Sequence, residues 1–95
     1  MIRILNLKRK QIISIKELFR LSASARNTFD FIRVNMWNGK FITVNFHRDQ
    51  TISVSHNFTD MRVYFLISNF EKRNKINSTQ NVAEFLFSMI QKYNV

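Results

Sequence analysis

The chain has no cysteine, no proline and one glycine, and only six of its 95 residues are acidic. Each scarcity excludes a class of chemistry. Without cysteine there is no disulfide framework and no thiolate zinc site, which points to a reducing compartment. One glycine cannot build a glycine-rich phosphate loop. The six carboxylates are scattered singly, so no paired-carboxylate or metal-ligating cluster is visible, and no metal or other cofactor is expected. No nucleophile elbow or Cys/His pair occurs. No apolar run approaches the ~18–20 residues of a membrane span, so a membrane is not an expected partner.

Hydrophobic residues make up 45% of the chain and phenylalanine alone occurs 10 times, which marks a folded domain rather than a disordered one. At this length one domain is expected, residues 1–95, burying roughly 60–65% of the unfolded surface. Eleven asparagines beside many Ile, Lys and Phe read as the imprint of an AT-rich genome: a phage, an organelle or a low-GC bacterium.

The net charge of +9 is unevenly spread. Residues 1–26 hold Arg3, Lys8, Arg9, Lys10, Lys16, Arg20 and Arg26 against Glu17 alone, residues 27–60 are neutral, and residues 61–95 hold five basic residues against two acidic ones. Basic flanks around a neutral middle suggest a polyanion or an acidic protein surface as partner, and the plain alternative is a solvated basic surface that keeps a small protein soluble. The first 26 residues also have the composition of a mitochondrial presequence, basic, serine-containing and poor in acids. The expected location is the cytoplasm of a phage-infected or low-GC cell, with an organelle matrix as second choice.

The strongest local signal is the stretch FDFIRVNMWNGKFITVNF, residues 29–46, two β-rich runs flanking Asn38-Gly39. A two-residue loop would mix polar and apolar side chains on both faces. A three-residue loop, Trp37-Asn38-Gly39, pairs Met36 with Lys40, Val34 with Ile42 and Ile32 with Val44. It sorts Ile32, Val34, Ile42 and Val44 onto one face and Arg33, Asn35, Thr43 and Asn45 onto the other, with Gly39 left-handed.

Around the hairpin, residues 2–7 read as a short edge strand or an extended arm. Ser14 to Glu17 has capping-box spacing, predicting a helix from Ser14 with Ile15, Leu18 and Phe19 as its apolar stripe, Ile12 leading in, and an exit at residues 22–25. Residues 51–56 alternate, with Ile52 and Val54 inward. Residues 61–68 fit a strand by alternation and a helix by Val63, Leu66, Ile67 and Phe70 behind a Thr59 cap; the ten-residue strand spacing favours a fourth strand. Residues 69–78 read as a polar basic loop. Val82, Phe85, Leu86, Met89, Ile90 and Tyr93 then recur at helical spacing behind a Ser78 or Thr79 cap.

The expected fold is α+β: an N-terminal basic arm and helix over 1–26, a four-stranded antiparallel β-meander over 29–68, and a C-terminal helix over 79–93 packed on the sheet. The order helix, strands, helix is similar to that of a double-stranded-RNA-binding domain. The final helix here opens Thr79-Gln80-Asn81-Val82 where that family carries a lysine-rich phosphate clamp, and the fourth strand is extra, so membership is not assigned.

No catalytic residue is expected: His47 and His56, with Lys40, Asp49 and Asp60 nearby in sequence, are the only acid–base set, and nothing in their spacing forces them together. The favoured function is a non-enzymatic module that docks on nucleic acid or a ribonucleoprotein. Its phosphate contacts would come from Lys8, Arg9, Lys10, Lys16, Arg20 and Arg26, helped by Lys72, Arg73 and Lys75. Phe31, Arg33, Phe41, Arg62 and Tyr64 on the sheet's second face, with Trp37 at the hairpin tip, would stack bases or anchor an interface, unless the N-terminal helix covers that face as a second core layer. The alternative is a phage or mobile-element inhibitor that blocks a host protein complex through the same aromatics. An exposed edge strand would also allow a homodimer.

Overall fold

The computed structural model describes residues 3–74 and 78–95. In chain order the elements are β1 (Ile4–Asn6), α1 (Ile15–Asn27), β2 (Phe31–Asn35), β3 (Phe41–Phe46), β4 (Ile52–His56), α2 (Met61–Arg73) and α3 (Thr79–Tyr93). The four strands form one sheet in the order β1-β2-β3-β4. The class is α+β as expected, but the sheet is mixed. β1 pairs with β2 in parallel, Ile4 opposite Arg33, because α1 carries the chain back across the sheet between them. The other two pairs are antiparallel.

The hairpin has the register that face sorting demands. Ile32 lies opposite Val44 and Val34 opposite Ile42. The Met36 amide donates to the Lys40 carbonyl at 2.8 Å, closing the Trp37-Asn38-Gly39 loop. Gly39 has φ +85°, the conformation that a residue without Cβ adopts cheaply.

The fourth strand is not residues 61–68; it is β1, and residues 61–73 are helical. Asp60, rather than Thr59, caps α2, accepting from the Arg62 amide at 2.8 Å. Val63, Ile67 and Phe70 form its buried stripe at helical spacing. That stripe closes the core beside β4, and this packing overrides the β-propensity of the Met-Arg-Val-Tyr-Phe run. The sheet therefore ends at His56, and of the loop expected over 69–78 residues 69–73 belong to α2, while 75–77 lie outside the described residues. Asn74, buried, ends that helix: its amide Nδ2 donates to the Phe70 carbonyl, and its Oδ1 accepts from Asn81 on α3.

α1 starts behind Ser14, whose hydroxyl accepts from the Glu17 amide at 3.1 Å, and runs on past the expected exit to Asn27. Its buried face is Leu18, Leu21, Ser22 and Ala25. Ile15 and Phe19 face outward instead, because the small residues Ser22 and Ala25 bring α1 close to α3 along a seam rotated away from them. α3 buries Val82, Ala83, Leu86, Met89 and Ile90 behind its Ser78 cap, with Phe85 and Tyr93 packed at the margin.

The three helices cover one face of the sheet, where Ile32, Val34, Ile42, Val44 and Ile52 join the helical side chains in one core. The molecule measures 34 × 30 × 17 Å, and the short dimension leaves room for one helical layer only. The sheet's second face is therefore not a second core layer. At one sheet edge the Val54 amide of β4 is taken by the Glu71 carboxylate of α2 at 3.3 Å; at the other, β1 is only three residues long. Among the described residues no helix is long and apolar enough to cross a membrane.

Candidate nucleic-acid interface

Alternation along β2 and β3 turns Phe31, Arg33, Asn35, Phe41, Thr43 and Asn45 to the uncovered face, and the parallel register adds Ile4 and Asn6 from β1. A shallow trough of ≈ 510 Å³ runs over this face between Ile4, Phe31, Arg33, Asn35, Thr43 and Asn45. Arg33 is its organising residue. Its guanidinium lies over the Phe41 ring at 3.9 Å, and its Nε donates to Asn35 Oδ1 at 2.8 Å. Asn35 in turn donates to Asn6 Oδ1 at 2.9 Å. The Thr43 hydroxyl is buried in the trough with no hydrogen-bond partner among the described residues. A buried polar group without a partner forfeits about 1–3 kcal/mol.

Arg62 and Tyr64, expected on this face, are on α2, since residues 61–68 are not a strand. Arg62 is ion-paired with its own cap Asp60 at 2.9 Å, and Tyr64 meets His56 edge-on, ring centroids 4.8 Å apart.

Trp37 stands at the hairpin tip, 48% exposed, with the Arg9 guanidinium 5.3 Å from its ring centre. Lys8, Arg9 and Lys10 form the exposed loop between β1 and α1, beside that tip. The loop is held by Asn94, whose side chain is buried just past α3. Asn94 Nδ2 donates to the carbonyls of Lys8 (2.8 Å) and Gln11 (3.0 Å), its Oδ1 accepts from the Trp37 amide (3.1 Å), and its own carbonyl accepts from the Lys10 amide (3.0 Å). Asn38 adds a bond to the Tyr93 carbonyl at 3.0 Å, and the Trp37 indole N–H donates to the backbone oxygen of Val95. Basic loop, hairpin tip and helix end are thus one knot.

The other basic residues are not gathered there. Lys16 and Arg20 project from α1, and Arg20 is held by Glu17 at 2.5 Å. Arg26 is in the last turn of α1, about 17 Å along the helix from its start, where it reaches Thr79 at 3.5 Å. Lys72 and Arg73 end α2. Lys75 lies outside the described residues. The cations offered by the basic flanks are therefore split between the two ends of the molecule.

Three carboxylates are occupied by arginines. Hydrogen bonding from Arg20 holds Glu17 below its ordinary value, Arg62 does the same for Asp60, and Arg3, followed by the Phe31 amide, lowers Asp30. Asp49 is lowered by the Thr51 hydroxyl and amide. Arg3, Arg20 and Arg62 are thereby engaged. Lys8, Arg9, Lys10, Lys16, Arg26, Arg33, Lys72 and Arg73 keep no acidic partner among the described residues.

The histidines do not meet. His47 Nε2 bonds Ser53 Oγ at 2.8 Å beyond the end of β3, while His56 ends β4 opposite Ile42, so about 15 Å of strand separates them. Among the described residues no group of three His, Cys, Asp or Glu is placed to hold a metal ion.

The sequence pattern located Arg33, Asn35, Thr43 and Asn45 on one face. It did not reveal Ile4 and Asn6, which depend on a parallel pairing, or Asn94, which acts across the whole length of the chain. No protein-family model matches the chain, and no curated protein or solved structure does so either.

Proposed function

We propose that the chain is a non-enzymatic module that binds single-stranded nucleic acid across the open face of its sheet, with Lys8, Arg9 and Lys10 taking phosphates at the hairpin end. The observation that carries this reading is the uncovered face itself: Phe31 and the Arg33–Phe41 pair lie free of any helix, beside the unpartnered Thr43 hydroxyl. Aromatic rings and guanidinium planes stack on bases of any sequence, and asparagine amides reach base edges. A duplex keeps its bases stacked inside, out of reach of short side chains on a sheet, so a single strand is the better fit. The excess of unpaired cations supplies the sequence-independent attraction. A ribonucleoprotein with an exposed strand would serve equally as the natural target.

Fluorescence anisotropy with labelled single-stranded RNA, single-stranded DNA and duplex of equal length tests this. Single strands bind more tightly than duplex, and Phe41→Ala or Arg33→Ala weakens them about 5- to 150-fold, the equivalent of about 1–3 kcal/mol of stacking. Replacing Lys8, Arg9 and Lys10 together by alanine lowers the salt slope by about 2. Equal binding to duplex and single strands, untouched by either face variant, would sink the reading. So would a pull-down that retains one protein stoichiometrically through nuclease and moderate salt, which is the result an inhibitor of a protein complex gives.

A further inference from the structure

The helical layer carries a groove that nucleic-acid binding does not use. α2 and α3 run antiparallel, and their seam opens on the outer surface as a depression of ≈ 600 Å³ beside Phe65, Leu66 and Tyr93, continued by one of ≈ 250 Å³ from Leu66 past Met89. Its outer wall is unusually apolar for a surface helix: Phe65 is 65% exposed, Leu66 40%, and Met61, one turn before Phe65, 65%. Lys92 borders both depressions and Arg73 the second, neither with an acidic partner among the described residues; the one carboxylate at the groove, Asp60, is tied to Arg62.

We propose that this groove is the docking site for an amphipathic, acidic α-helix of a partner protein, its apolar side chains set at i, i+3 or i+4 and i+7 against Phe65, Leu66 and Tyr93 and its carboxylates meeting Arg73 and Lys92. The α2 wall is 13 residues long, about 20 Å, the length of three to four turns of a docked helix. Charge selects this occupant. A second copy of the chain offering the outward Ile15 and Phe19 of α1 would bring the unpaired Lys16 toward Arg73 and Lys92, cation against cation. The site lies on the helical layer, so it stands or falls separately from the sheet face.

The test titrates the full chain, ¹⁵N-labelled, with a synthetic helical peptide of about 15 residues carrying leucines at that spacing and flanking glutamates, and with the same peptide bearing lysines instead. Amide shifts confined to α2 and the second half of α3, and binding of the glutamate peptide at least about 10-fold tighter than that of the lysine peptide, support the site. Arg73→Glu with Lys92→Glu reverses the preference, and Phe65→Ser weakens the glutamate peptide by a similar factor while leaving the melting curve in place, because that side chain is already in water. Equal affinity for both peptides overturns the proposal, as does affinity indifferent to these variants. It is likewise overturned if Phe65→Ser instead abolishes a concentration-dependent dimer, or abolishes binding to phosphatidylglycerol vesicles by a chain that ignores the peptide.

Discussion

Asn94→Ala is expected to be among the most damaging substitutions of a polar residue. The side chain makes three hydrogen bonds, to the Lys8 carbonyl, the Gln11 carbonyl and the Trp37 amide, at 2.8, 3.0 and 3.1 Å. Each is worth about 1 kcal/mol net, and more where the abandoned group stays out of water. Lys8, Gln11 and Trp37 are themselves exposed, so solvent recovers part of the loss and the lower figure applies to each. The sum is about 3 kcal/mol, a large fraction of the roughly 5–14 kcal/mol expected of a domain this size. At about 4–8 °C per kcal/mol, the midpoint of thermal unfolding falls by about 12–24 °C. Asn94→Asp should do no better, since it replaces two donations by a negative charge facing two carbonyls. The assay is a thermal melt by circular dichroism, paired with hydrogen exchange at the Lys10 and Trp37 amides, whose acceptors both belong to Asn94. A midpoint shift under about 3 °C, with exchange at those amides unchanged, would refute the idea that this side chain ties the basic loop to the hairpin tip.

Gly39→Ala places a Cβ at φ +85° with nothing within 4 Å, so its cost is conformational, about 1–2 kcal/mol, read as a shift of the urea midpoint without a change in slope. Ile32→Ala, fully buried, should cost about 2–5 kcal/mol, whereas Phe41→Ala on the open face should cost less than the roughly 3–5 kcal/mol of a core phenylalanine; equal losses in parallel melts would mean that the second face is covered. The Asp30 carboxyl is held below 3.8, mainly by Arg3, so its stabilising contribution is complete above that pH and is lost as pH falls through the depressed folded value. Asn in its place should flatten the acid limb of the urea midpoint plotted against pH, and a limb parallel to that of the unaltered chain would refute the pairing.

Local signals were legible wherever one physical rule dominates. Asn38-Gly39 and the alternation on either side specify the turn, the register and the identity of both faces, because a one-residue slip would exchange core and solvent side chains. The Ser14 and Ser78 caps and the apolar period of α3 are similarly self-contained. The candidate site was legible to the same extent: Arg33 and Phe41 were expected on one face and are there, in contact.

What the sequence by itself determined, then, is the class of the fold, the hairpin and its two faces, the last helix, and a cationic surplus. The tertiary structure decided everything that depends on which surfaces are covered. Met61 to Ser68 satisfies strand and helix periods alike, and only the packing of Val63, Ile67 and Phe70 beside β4 selects the helix. β1 is a strand because α1 returns the chain to β2, a pairing between residues about thirty apart that no local pattern carries. Charge follows the same logic. A run of seven cations in the first 26 residues reads as one patch on paper, yet the length of α1 separates Lys8, Arg9 and Lys10 from Arg26, and ion pairs with Asp30 and Glu17 engage Arg3 and Arg20. Proximity along a chain is one-dimensional, and a binding surface depends on distances that exist only once the chain has folded.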